Sequence, residues 1–171
     1  MIDFKKSCEI LSDLLDKGNK GAIELESGEK YSFLLAKKYT DSEIRYFEKK
    51  FDVTFPQHYK YFLENVGAST IYLDEYGLGV KFYALEELVD FSNSVFVDMN
   101  NLFPKLFIIA SNIGRGDIIG FDFSSSNRKD NFSIFSHEDN PEKWLEENLT
   151  WTQFNLWLCQ LVESEGEEDL I

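Results

Sequence analysis

The sequence predicts an α+β domain, and three observations carry that prediction. Its 171 residues fit a single domain. Apolar residues at helical spacing are concentrated at the two ends of the chain and between about residues 40 and 67. Short β-capable runs, separated by Gly, Asn and Asp, occupy most of the remainder. Composition supports a packed interior: 43% of residues are hydrophobic and the aromatic share of 16% includes 16 Phe, which argues against disorder. A chain of this length buries enough surface to need neither a disulfide nor a metal.

Each element has a local reason. Phe4, Cys8, Leu11, Leu14 and Leu15 trace a helix that Gly18-Asn19 ends. Ala22–Leu25 and Tyr31–Ala36 read as two strands joined by Ser27-Gly28-Glu29. Thr40 and Glu43 form a capping box, after which Ile44, Phe47 and Phe51 line one helix face. Phe55-Pro56 ends that helix and starts another, with Pro56 expected at its first position. Tyr59, Phe62, Leu63 and Val66 face inward there, and Gly67 suits the left-handed site beyond the helix.

After Gly67 the period changes. Thr70–Leu73 and Val80–Tyr83 read as strands around Asp74-Glu75-Tyr76-Gly77, and Leu85–Phe91 as a short helix. Leu106–Ala110 is a continuous apolar run of the central-strand kind. Ile118–Phe123 and Phe132–Phe135 follow as strands, with a polar loop between them. The last helix carries Trp151, Phe154, Leu156, Trp157, Leu158 and Leu161, with Thr150 as its candidate cap, before an acidic tail expected to fray.

Charge narrows the function classes. Residues 1–60 hold 11 basic and 11 acidic side chains, and residues 61–171 hold 6 and 20, so the whole net charge of −14 lies in the second part. Such a field repels phosphate backbones and anionic lipid and steers a basic partner inward. It also serves solubility alone. No apolar run approaches the ~20 residues of a membrane span. The N-terminus lacks the basic start and apolar stretch of a signal peptide, so a cytoplasmic location is expected.

The search for chemistry is negative. His58 and His137 lie 79 positions apart with no cysteine near either, so no metal site is expected. Cys8 and Cys159 sit in apolar helical patterns and read as buried free thiols. Gly114-Arg115-Gly116-Asp117 lacks the third glycine of a dinucleotide loop and is followed by a strand, so it reads as a tight turn. Glu138 and Asp139 beside His137, and Asp74-Glu75 beside Tyr76, fit either a solvated turn or a protein-binding surface. No enzyme, cofactor or metal is predicted.

Four segments, in order, resemble the SUKH superfamily (the Smi/Knr family). The run TDSEIRYFEKKFDVTFPQHYKYFLENVG matches its opening through Thr40, Glu43, Ile44, Phe47, Glu48, Val53, Phe55, Pro56, Tyr59, Phe62, Leu63 and Gly67. FIIASNIGRGDIIGFDF is similar to its strand–Gly-x-Gly-Asp–strand segment through Ile109, Gly114, Gly116, Asp117, Phe121 and Asp122. SIFSHED and WTQFNLWL resemble later pieces, through Phe135, His137, Glu138 and Phe154. Asn65-Val66-Gly67 replaces the usual Asn-Gly pair, and the tryptophan often found after it is absent.

The resemblance implies a mixed, mostly antiparallel central sheet with helices packed around it. It divides one domain into an N-terminal helix and hairpin (1–39), a SUKH-like core (40–162) and an acidic C-terminal tail (163–171). Many bacterial members are immunity proteins that neutralise a toxin, often a nuclease, by binding it; fungal members are scaffolds in cell-wall signalling. The expected partner is thus a basic cognate toxin, with no direct contact to nucleic acid or membrane and a monomer or weak homodimer in solution. The alternative is a scaffold or regulatory module of the same fold. Candidate contacts are Asp74, Glu75, Tyr76, Asp117, Asp122, Glu138 and Asp139: the resemblance places Asp117 and Asp122 beside the glycine turn, and charge selects the others.

Overall fold

A computed structural model describes residues 2–95, 105–124, 132–144 and 151–167. Helix α1 (Phe4–Gly18) begins where the Asp3 carboxylate accepts the Lys5 amide. Its inward stripe of Phe4, Cys8, Leu11 and Leu15 is buried against the rest of the core. Strands β1 (Ile23–Glu24) and β2 (Lys30–Lys37) form the expected hairpin.

Helices α2 (Asp41–Phe51) and α3 (Gln57–Asn65) make the corner. The capping box is present: Thr40 Oγ1 accepts the Glu43 amide at 3.3 Å, and Glu43 Oε2 accepts the Thr40 amide at 2.9 Å. Glu48 ties the two helices together, accepting the Phe55 amide at 2.7 Å and pairing with Lys60 at 2.9 Å. Pro56 departs from expectation by one position. Its ψ of 146° is extended, so it caps α3 from outside, and its carbonyl accepts the Lys60 amide to close the first turn. Gly67 adopts φ +86°, and a Cβ there would lie 2.2 Å from the Lys37 carbonyl oxygen, so only glycine fits.

The remaining strands are β3 (Ala68–Leu73), β4 (Gly79–Phe82), β5 (Leu106–Ile113), β6 (Ile118–Asp122) and β7 (Phe132–Phe135). The seven strands among the described residues form one sheet in chain order, and every pairing among them is antiparallel, without the parallel pair that a mixed sheet would contain. Helix α4 (Leu85–Val95) outruns its expected end at Phe91. Ser92, a residue that disfavours helix interiors, is buried there: its hydroxyl donates to the Leu88 carbonyl and accepts the Ile108 amide. Helix α5 (Phe154–Glu163) starts later than expected because Thr152 is engaged in a bridge to Phe132, and Gln153 takes the cap position. Thr150 lies outside the described residues.

Both sheet faces are covered. On one, α1, α3 and α5 enclose an aromatic core centred on Tyr59, whose ring lies 5.0–5.3 Å from Phe55, Phe121 and Phe154. On the other, Leu106, Ile108, Ile118, Phe135 and Trp144 form a smaller cluster against α4 residues Phe91 and Val95. Phe47, Phe62 and Leu63 are buried in the larger core with Phe154. The alternation of β5, with Phe107 and Ile109 to one side and Leu106 and Ile108 to the other, is what a strand covered twice requires.

Candidate functional site: the acidic turn end of the sheet

An antiparallel meander sends alternate connections to opposite ends. The β1–β2, β3–β4 and β5–β6 turns therefore share one end with the segment that leaves β7. Asp74, Glu75, Tyr76, Asp117, Glu138 and Asp139 are gathered there from three stretches of chain.

In the β3–β4 turn, Asp74 Oδ1 accepts the amides of Tyr76 and Leu78 at 2.9 and 2.8 Å, and Gly77 takes φ +83°. That geometry leaves Glu75 exposed and projects Tyr76 into solvent, 83% exposed. In the β5–β6 turn, Gly114 and Gly116 adopt φ +84° and +89°. The Gly116 amide closes on the Asn112 carbonyl at 3.0 Å and the Asn112 amide on the Asp117 carbonyl at 2.9 Å, the strand-to-strand turn expected of this segment. Leu78 lies over Gly114, where a Cβ would come within 2.4 Å of its Cδ2, and so joins the two turns.

Asp117 is only 9% exposed and works inside the protein: its Oδ1 accepts the His137 amide at 3.0 Å and lies 2.8 Å from His137 Nδ1. Glu138 and Asp139 follow on an exposed turn around Ser136. Asp122 is a correction. It is the last residue of β6, at the other end of that strand, 1% exposed, and its carboxylate accepts the Ser124 amide and hydroxyl. Because β6 is covered on both faces, a carboxylate on it turns inward to a hydrogen-bond donor and is withdrawn from the surface.

The sequence reading overlooked three acids, Glu29, Glu165 and Glu167, and two phenols, Tyr31 and Tyr72. After Glu163 the chain folds back where fraying was expected: the Gly166 amide donates to the Leu161 carbonyl at 2.9 Å, with Gly166 at φ +82°. Gly166 just beyond an amphipathic helix was the available signal for such an ending. This turn carries Glu165 and Glu167 toward the hairpin, where the Ser27 amide donates to Glu165. Burial raises the Tyr31 hydroxyl above the ordinary phenol range, and the charges of Glu167, Glu29, Asp74 and Glu165 raise it further; Asp74 and Glu167 line the same cavity as Tyr31. Tyr72, beside it, is raised by burial and then by Glu165.

Elsewhere, burial pushes the Cys8 thiol up to about 12, with Cys159 adding to the effect, and both cysteines are free and buried. His58 packs edge-on against Phe4 at 4.8 Å. Among the described residues no group of three or more His, Cys, Asp or Glu is placed to hold a metal, and no helix is long and apolar enough to cross a membrane.

Residues 38–160 match the family model described as SMI1 / KNR4 family (SUKH-1). The chain is also 31% identical over 163 residues to Immunity protein RhsIB of Dickeya dadantii (strain 3937), covering 95% of this chain and 96% of that protein. On these two matches, each covering most of its length, the chain belongs to the SMI1/KNR4 (SUKH-1) family.

Proposed function

We propose that this protein is an immunity protein that binds and neutralises a cognate toxin through the acidic turn end of its sheet, without catalysis. The observation that carries the reading is the convergence there of Glu29, Asp74, Glu75, Glu138, Asp139, Glu165 and Glu167 from four separate stretches of chain. Likeness to an immunity protein along nearly the whole chain supports it.

The partner that fits is a basic protein, and a nuclease is the simplest such toxin. A nuclease must be positive where it grips phosphate, so a rigid array of carboxylates competes for that surface and associates quickly. The same field disfavours direct contact with nucleic acid or anionic membrane. The protein would act in the cytoplasm as a monomer or weak homodimer that meets its toxin before the substrate does.

Expression of the neighbouring gene with and without this one tests the reading. Lethality relieved by co-expression, with a purified complex at 1:1 stoichiometry, is the expected result. A neighbour that is harmless alone, or that forms no complex, would sink the immunity role and favour a scaffold of the same fold.

A further inference from the structure

A cavity of about 220 Å³ opens at this end of the sheet, between the β-hairpin turns and the turn that follows α5. Tyr31, Tyr72 and Trp157 form its apolar walls, and Asp74, Glu167 and Arg115 stand at its polar side. The volume is below the roughly 300–1,000 Å³ of small-molecule sites, so the space suits a single side chain better than a free metabolite.

Two features of the walls point to what enters. Tyr31 and Tyr72 are 9% and 3% exposed, and neither hydroxyl has a hydrogen-bond partner among the described residues. Their rings meet edge to face at 5.7 Å. Phenol oxygens left unpaired at a cavity can accept from a donor that enters it, and the Asp74 and Glu167 carboxylates that line the same cavity make a cation the favoured one. Asp74 uses Oδ1 for its turn amides.

The wall is also held rigidly. Tyr72 has φ +49° at a bulge of β3, a conformation a tyrosine rarely adopts. Gly166 lies against it so closely that a Cβ there would come within 2.6 Å of Tyr72 Cβ.

We propose that this cavity is a socket for one basic side chain, lysine or arginine, of the partner protein. Its ammonium or guanidinium donates to the phenol oxygens and to the Asp74 and Glu167 carboxylates, while its methylenes lie along the aromatic walls. The assignment of the occupant to a toxin rests on the proposed immunity function; the chemistry of the socket does not.

Two arms test it on the full chain. In the first, N-acetyl-arginine amide is titrated against the isotope-labelled protein, with neutral N-acetyl-citrulline amide as control. Saturable shifts at Tyr31, Tyr72 and the residue 166–167 amides, absent with citrulline and lost in Asp74→Asn/Glu167→Gln, are expected. Asparagine at 74 keeps the turn acceptor, and an unchanged amide spectrum elsewhere verifies the fold. Equal shifts from both probes, or shifts spread over the acidic surface and retained in the double variant, overturn the socket.

In the second arm, binding of the neighbouring gene's protein is measured for the same double variant, for Tyr72→Phe, and for Glu64→Gln on α3 as control. About tenfold weaker binding through faster dissociation is expected for the double variant and a smaller loss for Tyr72→Phe, with the control unchanged. A toxin that binds the double variant as tightly as the native chain overturns the socket and leaves the immunity role standing. If nothing binds, the immunity role fails and the first arm still decides the socket.

Discussion

One oxygen of Asp117 receives both the backbone amide and the ring Nδ1 of His137, so the glycine turn between β5 and β6 is fastened to the segment that leaves β7. The contact spans 20 positions and sets the spacing between the turn carrying Arg115 and the turn carrying Glu138 and Asp139. Replacing Asp117 with alanine leaves a part-buried amide without its acceptor and should cost about 1–3 kcal/mol, whereas asparagine retains an acceptor and should cost less. Urea unfolding of the two variants checks this ordering, and equal losses would contradict it.

Phe62 tests the aromatic core. It is fully buried, with ring centroids 4.5 Å from Phe82 and 5.4 Å from Phe154. Truncation to alanine should remove about 3–5 kcal/mol of stability. A loss under about 1 kcal/mol would mean that the corner collapses around the gap and that the α3–α5 packing is looser than described.

The exposed acids test the binding surface by kinetics. Asp74→Asn/Glu75→Gln should slow toxin association and flatten its salt dependence, at about 1 kcal/mol or less per charge. Tyr76→Ala should act on dissociation and cost about 2 kcal/mol or more if Tyr76 is a central anchor. Association insensitive to salt, with every variant binding like the native chain, would move the interface away from this end.

Alkaline pH should destabilise the fold. Burial raises Tyr59, Tyr72 and Tyr39 above the ordinary phenol value of 10.0 and Cys8 above the thiol value of 9.0. These groups keep their protons in the folded chain and lose them first in the unfolded one. The stability they contribute is therefore whole below about pH 9 and declines as pH rises through 10 and beyond. The urea midpoint should fall between pH 8 and pH 11, and Tyr59→Phe should weaken that dependence. A flat profile would show that these groups titrate alike in both states.

What the sequence made legible was local chemistry. Thr40 with Glu43, and Gly67 past Val66, each announce a helix boundary within a few residues, and each boundary is where it was read. Strand positions followed from runs such as Leu106–Ala110 for the same reason. Properties set by distant segments were not legible. Asp122 looked like a surface acid until both faces of β6 were seen to be covered, and α4, read as ending at Phe91, runs on through Ser92, whose hydroxyl accepts the Ile108 amide. The socket was harder still, because Tyr31, Tyr72, Arg115 and Glu167 belong to four stretches that no spacing rule connects.

Helix α5 supplies Phe154, Trp157, Leu158 and Leu161 to a core whose sheet is otherwise complete by Phe135, and the turn after it brings Glu167 to the cavity. During synthesis the emerging chain can zip its meander strand by strand, since each strand pairs with its neighbour in sequence. It nevertheless presents an open aromatic face to the ribosome exit and to chaperones until helix α5 appears. A chain stopped before Phe154 is thus both sticky and without its acidic socket, so structural completeness and readiness to bind arrive together, with helix α5 and the turn after it.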